Sequence, residues 1–333
     1  MASENQYPKS LLQATRYFSD PDVCVEFVAA MRWPDGVTCP HCDGKKVSYL
    51  KTRRIWKCMD KVCHKQFSVK TFSVFEDSAI SLDKWLIAVW LVVNCKNGIS
   101  SYELARDLKI TQKSAWFVLH RIRLALRTND WGKGKMGSRG GPVEVDEAFV
   151  GGSPKNWHLS KRAKRVRFTP SEEKIEDHKT AVVGLLDRDT RQVRAKVIPN
   201  IKREVLQDAI LRNVVGTVKV YTDGMKAYSN LPELQFVHET VDHLNEYVRG
   251  EVHTNGIENF WSLLKRGLKG TYVAVEPFHL ERYVDEQAFR FNNRATKENP
   301  MTDADRFILA LSQIAGKRLT YQELTGKVGE TAL

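Results

Sequence analysis

Asp146, Asp223, Glu258 and Lys265 are the side chains of this sequence on which a reaction at phosphorus can be built. Asp146 lies inside the apolar run V-E-V-D-E-A-F-V, and Asp223 ends the run T-V-K-V-Y-T-D. Glu258 and Lys265 both fall in H-T-N-G-I-E-N-F-W-S-L-L-K-R. Three carboxylates about 5 Å apart repel by roughly 3 kcal/mol per pair at an effective dielectric near 20, so such a cluster calls for divalent cations. Hard oxygen ligands select Mg2+ or Mn2+. Two such ions about 4 Å apart activate a water or hydroxyl and stabilise the leaving oxygen in phosphodiester attack. Lys265, two helical turns beyond Glu258, is placed to meet a phosphate. Glu147 and Asn255 are the nearest alternatives for roles at this site.

A second chemistry is available at the cysteines. Cys39 and Cys42 form one knuckle, and Cys58 and Cys63 a wider one, with the β-rich stretch Lys46 to Trp56 between them. Two thiolate pairs on tight turns suit a tetrahedral Zn2+. The wider second knuckle leaves His41 and His64 as alternative ligands. A ribbon this small has no core of its own, so zinc would hold it folded. Cys24 and Cys95 sit in apolar helical surroundings and read as buried thiols.

The elements that must position these groups follow from periodicity. Ile257, Trp261, Leu264 and Leu268 make one apolar stripe of a helix spanning His253 to Gly270. Asn255, Glu258, Ser262 and Lys265 stand on another face, Thr254 or Asn255 can cap the start, and Gly270 can end it. Upstream, strands are expected at Pro142–Val150, His178–Leu186, Gln192–Ile198, Thr217–Thr222 and Gln235–Thr240, with a helix over Ile201–Arg212. The order β-β-β-α-β-α-β-α implies a mixed α/β sheet in which the fourth strand can lie beside the first. Between the first two strands an insertion carries Lys155, Lys161, Arg162, Lys164, Arg165 and Arg167 around Trp157 and His158. It reads as a solvated charge run or as a loop that grips phosphates.

Earlier in the chain, residues up to about Met31 look helical, and Ser78 to Leu126 reads as helices. The segments Ser101–Leu108 and Gln112–Leu126 have helix-turn-helix proportions, which would offer Gln112, Lys113 and Trp116 to DNA, with His120, Arg121 and Arg123 further on. A plain αα-hairpin is the alternative. Thr128 to Gly141, with five glycines, reads as a linker.

Composition narrows the class. In 333 residues, Lys and Arg exceed Asp and Glu by 52 to 40, which favours a polyanionic partner. The 42% hydrophobic content marks a globular chain. No apolar run approaches a membrane span, the longest being Trp85 to Val93, and no signal peptide is read at the start, so a cytoplasmic protein without a membrane partner is expected. In that reducing setting six cysteines favour metal ligation over disulfides.

The motifs V-D-E-A-F-V-G-G, Y-T-D-G-M-K-A-Y, H-T-N-G-I-E-N-F-W-S-L-L-K-R and R-Y-V-D-E-Q-A-F-R-F-N-N-R, with the cysteine knuckles, resemble the insertion-sequence DDE transposases that carry an N-terminal zinc ribbon, relatives of the Merlin elements. The resemblance covers nearly the whole chain. It implies a ribonuclease H-like catalytic domain with Asp146, Asp223 and Glu258 as the metal-binding triad, Asn255 remaining the alternative at the third position. It implies a terminal inverted repeat and target DNA as partners, strand cleavage followed by strand transfer, a homo-oligomer on DNA and association with the nucleoid. The segments expected are an N-terminal helix with the ribbon at residues 1–76, a helical DNA-binding domain at 77–128, a linker at 129–141, the catalytic domain at 142–296 and a helical tail at 297–333. Two other readings are weighed against it. A structure-specific nuclease or resolvase of the same fold would gain little from an end-recognition module. A domesticated DNA-binding regulator would have no use for an intact triad.

Overall fold

The computed structural model describes residues 7–151, 179–241 and 252–326. The chain divides into two compact units, Met1–Arg127 with Asn293–Leu333, and Thr128–Asn292.

In the first unit the N-terminal helical stretch is two helices, α1 (Leu11–Tyr17) and α2 (Pro21–Arg32). The break is local chemistry: the Asp20 side chain accepts the Asp22 N–H, and Pro21 takes the first helical position, where no N–H is needed. The ribbon follows as β1 (Val47–Leu50), β2 (Ile55–Cys58) and β3 (Gln66–Phe67), an antiparallel sheet in chain order. Its small apolar face is the Trp33, Trp56 and Phe67 rings, 5.8 to 6.1 Å apart.

Beyond the ribbon, α3 (Leu82–Asn94) is apolar nearly all round and buried, as the sequence pattern requires. The pair α4 (Ser101–Leu108) and α5 (Gln112–Leu126) has the boundaries expected of it. Ser100 and Glu103 form a capping box on α4, Lys109 ends it at φ 49, and Thr111 caps α5.

The C-terminal segment, expected as a tail, is built into this unit. In the helix at Asp303–Ser312 the Phe307 ring lies 5.8 Å from Phe18, 6.0 Å from Phe27 and 5.1 Å from Trp90. An apolar residue buried to 1% exposure among three aromatic rings ties the end of the chain to its beginning.

The second unit is a five-stranded mixed sheet. Its strands are β4 (Val143–Val150), β5 (Thr180–Asp187), β6 (Val193–Ile198), β7 (Lys219–Asp223) and β8 (Val237–Val241), in the order β6-β5-β4-β7-β8. The pairs β4–β5 and β5–β6 are antiparallel, and β4–β7 and β7–β8 are parallel. This is the ribonuclease H-like sheet. Its helices among the described residues are α6 (Arg203–Asn213), α7 (Asn255–Gly267) and α8 (Leu280–Asn292).

Alternation in the strands sends side chains to two cores. Val143, Val145, Val183 and Leu185 pack with Leu206 and Ile210 of α6. Ala148, Val182 and Leu186 pack with Ile257, Trp261 and Leu264 of α7 and Val284 of α8. The apolar stripe read from the sequence is therefore the buried face of α7. Gly270 does not end that helix, which passes at Leu268–Tyr272 into a π-turn.

The glycine-rich stretch is also not a free linker. Met136 is buried in the α6-side core and bridges to Val214, and the Gly132, Gly137 and Gly141 amides donate to Asn213, Asp187 and Asp189. Three anchored amides and a buried side chain hold residues 132–141 against the sheet, so the glycine count there does not mean flexibility.

Candidate functional site

Two clusters of metal-ligating residues stand out among the described residues. The first is Cys39, Cys42, Cys58 and Cys63, whose sulfurs all lie within 4.8 Å of one another. Cys39 and Cys63 are 3.8 Å apart and Cys42 and Cys58 are 3.6 Å apart. A tetrahedron with Zn–S bonds near 2.3 Å has edges of about 3.8 Å, which these two distances match, so the set suits Zn2+. The backbone amides of Gly44, Asp60 and Lys65 point at Cys42, Cys58 and Cys63, yet burial and the neighbouring thiols push Cys42 up to about 12 and raise Cys58, and only Cys63 is lowered.

The extra residues of the second knuckle are folded away by Asp60. Its side chain accepts the Val62 N–H at 2.9 Å, and His64 takes a left-handed φ of 47. Neither histidine belongs to the set; the His41 ring lies edge-on to Phe72 at 4.9 Å.

The second cluster sits where β4 and β7 run side by side. Their register pairs Glu144 with Tyr221, and two residues further along each strand stand Asp146 and Asp223. Asp146, Asp223 and Glu147 each offer a carboxylate oxygen within 4.8 Å of the others. Octahedral Mg2+ places opposite ligand oxygens about 4.2 Å apart, so this spacing suits one shared ion.

Burial, aided by the Asp223 and Glu258 charges, pushes Asp146 up to about 6. Burial, with Asp146 and Asp223 beside it, pushes Glu147 up to about 9. Glu147 Oε1 is buried without a hydrogen-bond partner. An orphaned carboxylate oxygen beside two others is a donor set shaped for a divalent cation. Glu258 stands outside the tight group, although its charge reaches Asp146.

How Glu258 is held was not visible in the sequence. Thr254 occupies the N-cap position of α7 but makes no cap hydrogen bond; its hydroxyl donates to Glu258 Oε1 at 2.8 Å. The cap comes from the sheet instead. Glu144 Oε2 accepts the Ile257 N–H at 2.9 Å, and Gly256 is required there, because a Cβ would lie 2.8 Å from that oxygen. Glu144 is 1% exposed, and its charge is met by Arg188 Nε at 2.6 Å. Arg188 in turn donates to the His253 carbonyl and lies over the Tyr221 ring.

On the same face of β4, Trp261 Nε1 donates to Asp146 Oδ2 at 3.0 Å. Gly184, opposite Asp146, lets α7 approach: a Cβ there would lie 2.6 Å from the Trp261 ring. A glutamate two residues before Asp146 in a buried strand was the available sign of this clamp, since a buried charge needs a partner.

Lys265 is exposed on α7, two turns beyond Glu258. It borders an open cleft of about 400 Å³ lined also by Phe149, Lys179, Lys269 and Val273. The basic insertion residues Lys155, Lys161, Arg162, Lys164, Arg165 and Arg167 lie outside the described residues.

In the helical unit the residues offered to DNA divide. Lys113 is exposed, with its ammonium over the Tyr321 ring, and Gln112 donates to Ser101 Oγ. Arg121 is a correction. It is 4% exposed, donates to the Glu76 carbonyl and packs over Trp85 and Phe117. His120 and Arg123 are buried as well. The second half of α5 is a core helix of its unit, so only its first turn or so faces outward.

Residues 139–292 match the ISXO2-like transposase domain, and residues 19–66 match the transposase zinc-ribbon domain. An uncharacterized protein in transposable element ISH50 of Halobacterium salinarum is 31% identical over 253 residues, which cover 72% of this chain and 81% of that one. Among solved structures, the catalytic core domain of BIV integrase aligns at 13% identity and TM-score 0.31, over 49% of this chain and 91% of that one. A simian T-cell lymphotropic virus intasome, in complex with PP2A regulatory subunit B56 gamma, aligns at 12% identity and TM-score 0.29, over 66% and 70%. With a transposase domain matched over its carboxylate-bearing sheet, a transposase ribbon matched over its cysteines, and a mobile-element relative covered for four-fifths of its length, the chain belongs to the ISXO2-like transposases.

Proposed function

We propose that the chain binds the terminal inverted repeats of its element and catalyses cleavage and transfer of DNA strands by two-metal phosphodiester attack. The observation that carries this reading is the convergence of Asp146 and Asp223 from neighbouring parallel strands, with Glu147 in the same group and the Glu258 charge felt at Asp146. Asp146 and Asp223 would hold Mg2+ or Mn2+, with Glu258 or Glu147 as the third ligand. Bound there, the ions supply Lewis-acid activation of a water or a 3′-hydroxyl.

The protein's own part is positioning. Trp261 and Thr254 orient Asp146 and Glu258, and Glu144 fixes the start of the helix that carries Glu258 and Lys265. Lys265 meets a phosphate of the strand. Hydrolysis and joining are the same in-line displacement with different nucleophiles, so one site serves both.

The other modules follow. Zn2+ on Cys39, Cys42, Cys58 and Cys63 holds the ribbon folded for end recognition, together with the surface around Gln112 and Lys113. The basic insertion grips the backbone, and a homo-oligomer assembles on the paired ends. The place of action is the cytoplasm, at the nucleoid. No helix among the described residues is long and apolar enough to cross a membrane.

The test is a cleavage and joining assay on a labelled end duplex in Mg2+. Asp146→Asn and Asp223→Asn are each expected to lose at least about 1000-fold in both steps, on the scale of removing a principal charge-stabilising group, while still binding end DNA. Cleavage near the parental rate in either variant would falsify the two-metal assignment. Cutting without any joining by the parent would favour the nuclease reading. Glu258→Gln and Glu147→Gln, compared side by side, identify the third ligand.

A further inference from the structure

We propose that the outward face of the ribbon's sheet enters the major groove of the element's terminal duplex and reads base edges there. Ser48, Lys57 and Gln66 are the readers, and Lys51 and Arg53 hold flanking phosphates. This rests on the transposase reading and names the surface by which the ribbon recognises an end.

The strand register separates the two faces of the sheet. Val47 stands opposite Cys58, Tyr49 opposite Trp56 and Trp56 opposite Phe67, which puts those side chains on one face. That face is closed, with Trp33 against Trp56 and Phe67, and with Trp56, Cys58 and Phe67 buried. The alternate residues fall on the other face. Ser48 stands opposite Lys57 and Lys57 opposite Gln66, so these three form one row across the strands. Leu50 opposite Ile55 makes the next row toward the hairpin tip. Ser48 and Gln66 are exposed and Lys57, Leu50 and Ile55 are half-buried, so the row stands at the surface.

Charge says what such a face meets. Residues 39–67 carry eight Lys and Arg against two Asp, an excess of six and half of the chain's net +12. Zn2+ on four thiolates would add about −2 and leave the ribbon positive. Neither Asp lies on a strand; Asp43 and Asp60 belong to the cysteine knuckles, and Asp60 is engaged with the Val62 amide. Lys51, Arg53 and Lys57 make no ion pair among the described residues, whereas Arg54 is turned back to Asp22 of α2. Charge that only protects a sheet from edge pairing belongs on edge strands, yet Lys57 is on β2, the central strand. A face of one sign complements a polyanion.

Dimensions and chemistry select the groove. β3 has only two residues, so the part able to enter is the β1–β2 hairpin, and the major groove admits a two-stranded ribbon. The four residues of β1 span roughly 13 Å, about four base pairs. The row offers what base edges there accept. A Lys ammonium suits O6 and N7 of guanine, a Gln amide suits adenine, and a Ser hydroxyl suits either. Leu50 and Ile55 beside them suit thymine methyls, which only the major groove displays.

The test uses the full-length, zinc-loaded protein, a duplex carrying the terminal repeat of its own element, and a scrambled duplex of the same length. Affinities for both are measured over a series of salt concentrations. Zinc content and melting curves confirm that each variant is folded. Lys57→Ala and Gln66→Ala are each expected to lose roughly 5- to 150-fold on the end duplex, the range of one base contact, and far less on the scrambled one. Lys51→Ala and Arg53→Ala should weaken both duplexes alike, each lowering the slope of log K against log salt by about 0.9. Single guanines of the repeat are then replaced by 7-deazaguanine, which lacks the N7 acceptor. One position should cost the parent roughly 5-fold or more and cost Lys57→Ala nothing further.

If the parent prefers the end duplex and both Lys57→Ala and Gln66→Ala keep that preference, the face is wrong while the transposase reading stands. If these variants weaken the two duplexes equally, the face holds backbone phosphate only, which also overturns the proposal. A parent that binds a single strand or an RNA duplex of the repeat more tightly than the end duplex excludes a major-groove reader. If the parent shows no preference for the end duplex, end recognition by this chain falls and the face falls with it.

Discussion

The cysteine cluster and the carboxylate cluster are both shaped for metal, yet one has almost no core around it and the other has two. The ribbon around the four sulfurs has only a few aromatic rings as a core, with backbone amides pointing at three of the sulfurs. Its sulfurs already stand at the edge length of a zinc tetrahedron. The acidic group is instead embedded in a five-stranded sheet with two apolar cores, neither of which includes the carboxylates. Both sites raise the proton affinity of ligands, Asp146 to about 6 and Glu147 to about 9 in the sheet, as with Cys42 and Cys58 in the ribbon, so the difference between them is the core around each. In the ribbon, a bound metal would substitute for a missing core. In the sheet, a sufficient core tolerates a self-repelling site that a cation would relieve.

The largest effect expected from this contrast is in the ribbon. Cys39→Ser, or a strong chelator, should release about one zinc per chain and unfold residues 39–67, since binding energy there is folding energy on the order of 10 kcal/mol. Zinc analysis with limited proteolysis reads this out. A ribbon that stays protected without zinc would erase the contrast.

The carboxylate site should respond in the opposite sense. In chelator, Asp146→Asn is expected to stabilise the protein at pH 8 by about 1–3 kcal/mol, a rise of several degrees in Tm. The pH dependence has a definite direction. Asp146 and Glu147 have ordinary values of 3.8 and 4.5 and are raised when folded. Their stabilisation is therefore complete below about pH 4 and is lost as pH rises through about 6 for Asp146 and about 9 for Glu147. Mg2+ should flatten that decline. A melting profile indifferent to both pH and Mg2+ over this range would remove the self-repulsion from the account.

Smaller and more local is the clamp on α7. Glu144→Gln keeps the cap acceptor and leaves the Arg188 guanidinium facing a neutral amide, so a loss of about 2–4 kcal/mol is expected. Hydrogen exchange in the first turn of α7 should quicken more than elsewhere in the sheet unit. Uniform quickening would make Glu144 a general stabiliser and not a helix anchor. The smallest effect belongs to the surface. Replacing Lys161, Arg162, Lys164 and Arg165 together with alanine should lower the slope of log K against log salt by roughly 0.9 for each phosphate no longer neutralised. An unchanged slope would make the insertion a solvated surface.

Much of this architecture was legible because local signals agreed with it. The boundaries of α4 and α5 follow from their helix-turn-helix proportions. The neighbourhood of Asp146 and Asp223 follows from strand order. What escaped the sequence depends on tertiary partners. Arg121 reads as a surface cation until Trp85 and Phe117 are found packed against its guanidinium. Residues 129–141 look like a linker because nothing local shows that Asn213, Asp187 and Asp189 wait for their amides. Glu144 in a buried strand signals that a partner exists, but not which, because Arg188 and Ile257 lie 44 and 113 positions away.

That last arrangement bears on how faithfully the site can form. Glu144 and Asp146 are two apart on β4, so they share a face, one gripping the helix that bears Glu258 and the other reaching toward Asp223. If β4 paired one position out of register, both would turn to the α6 side together, and Val143 and Val145 would leave their core at the same time. A misaligned strand thus forfeits the helix anchor, the acidic group and the packing in one step. The register of this one strand therefore sets the helix anchor, the place of Asp146 and the packing together.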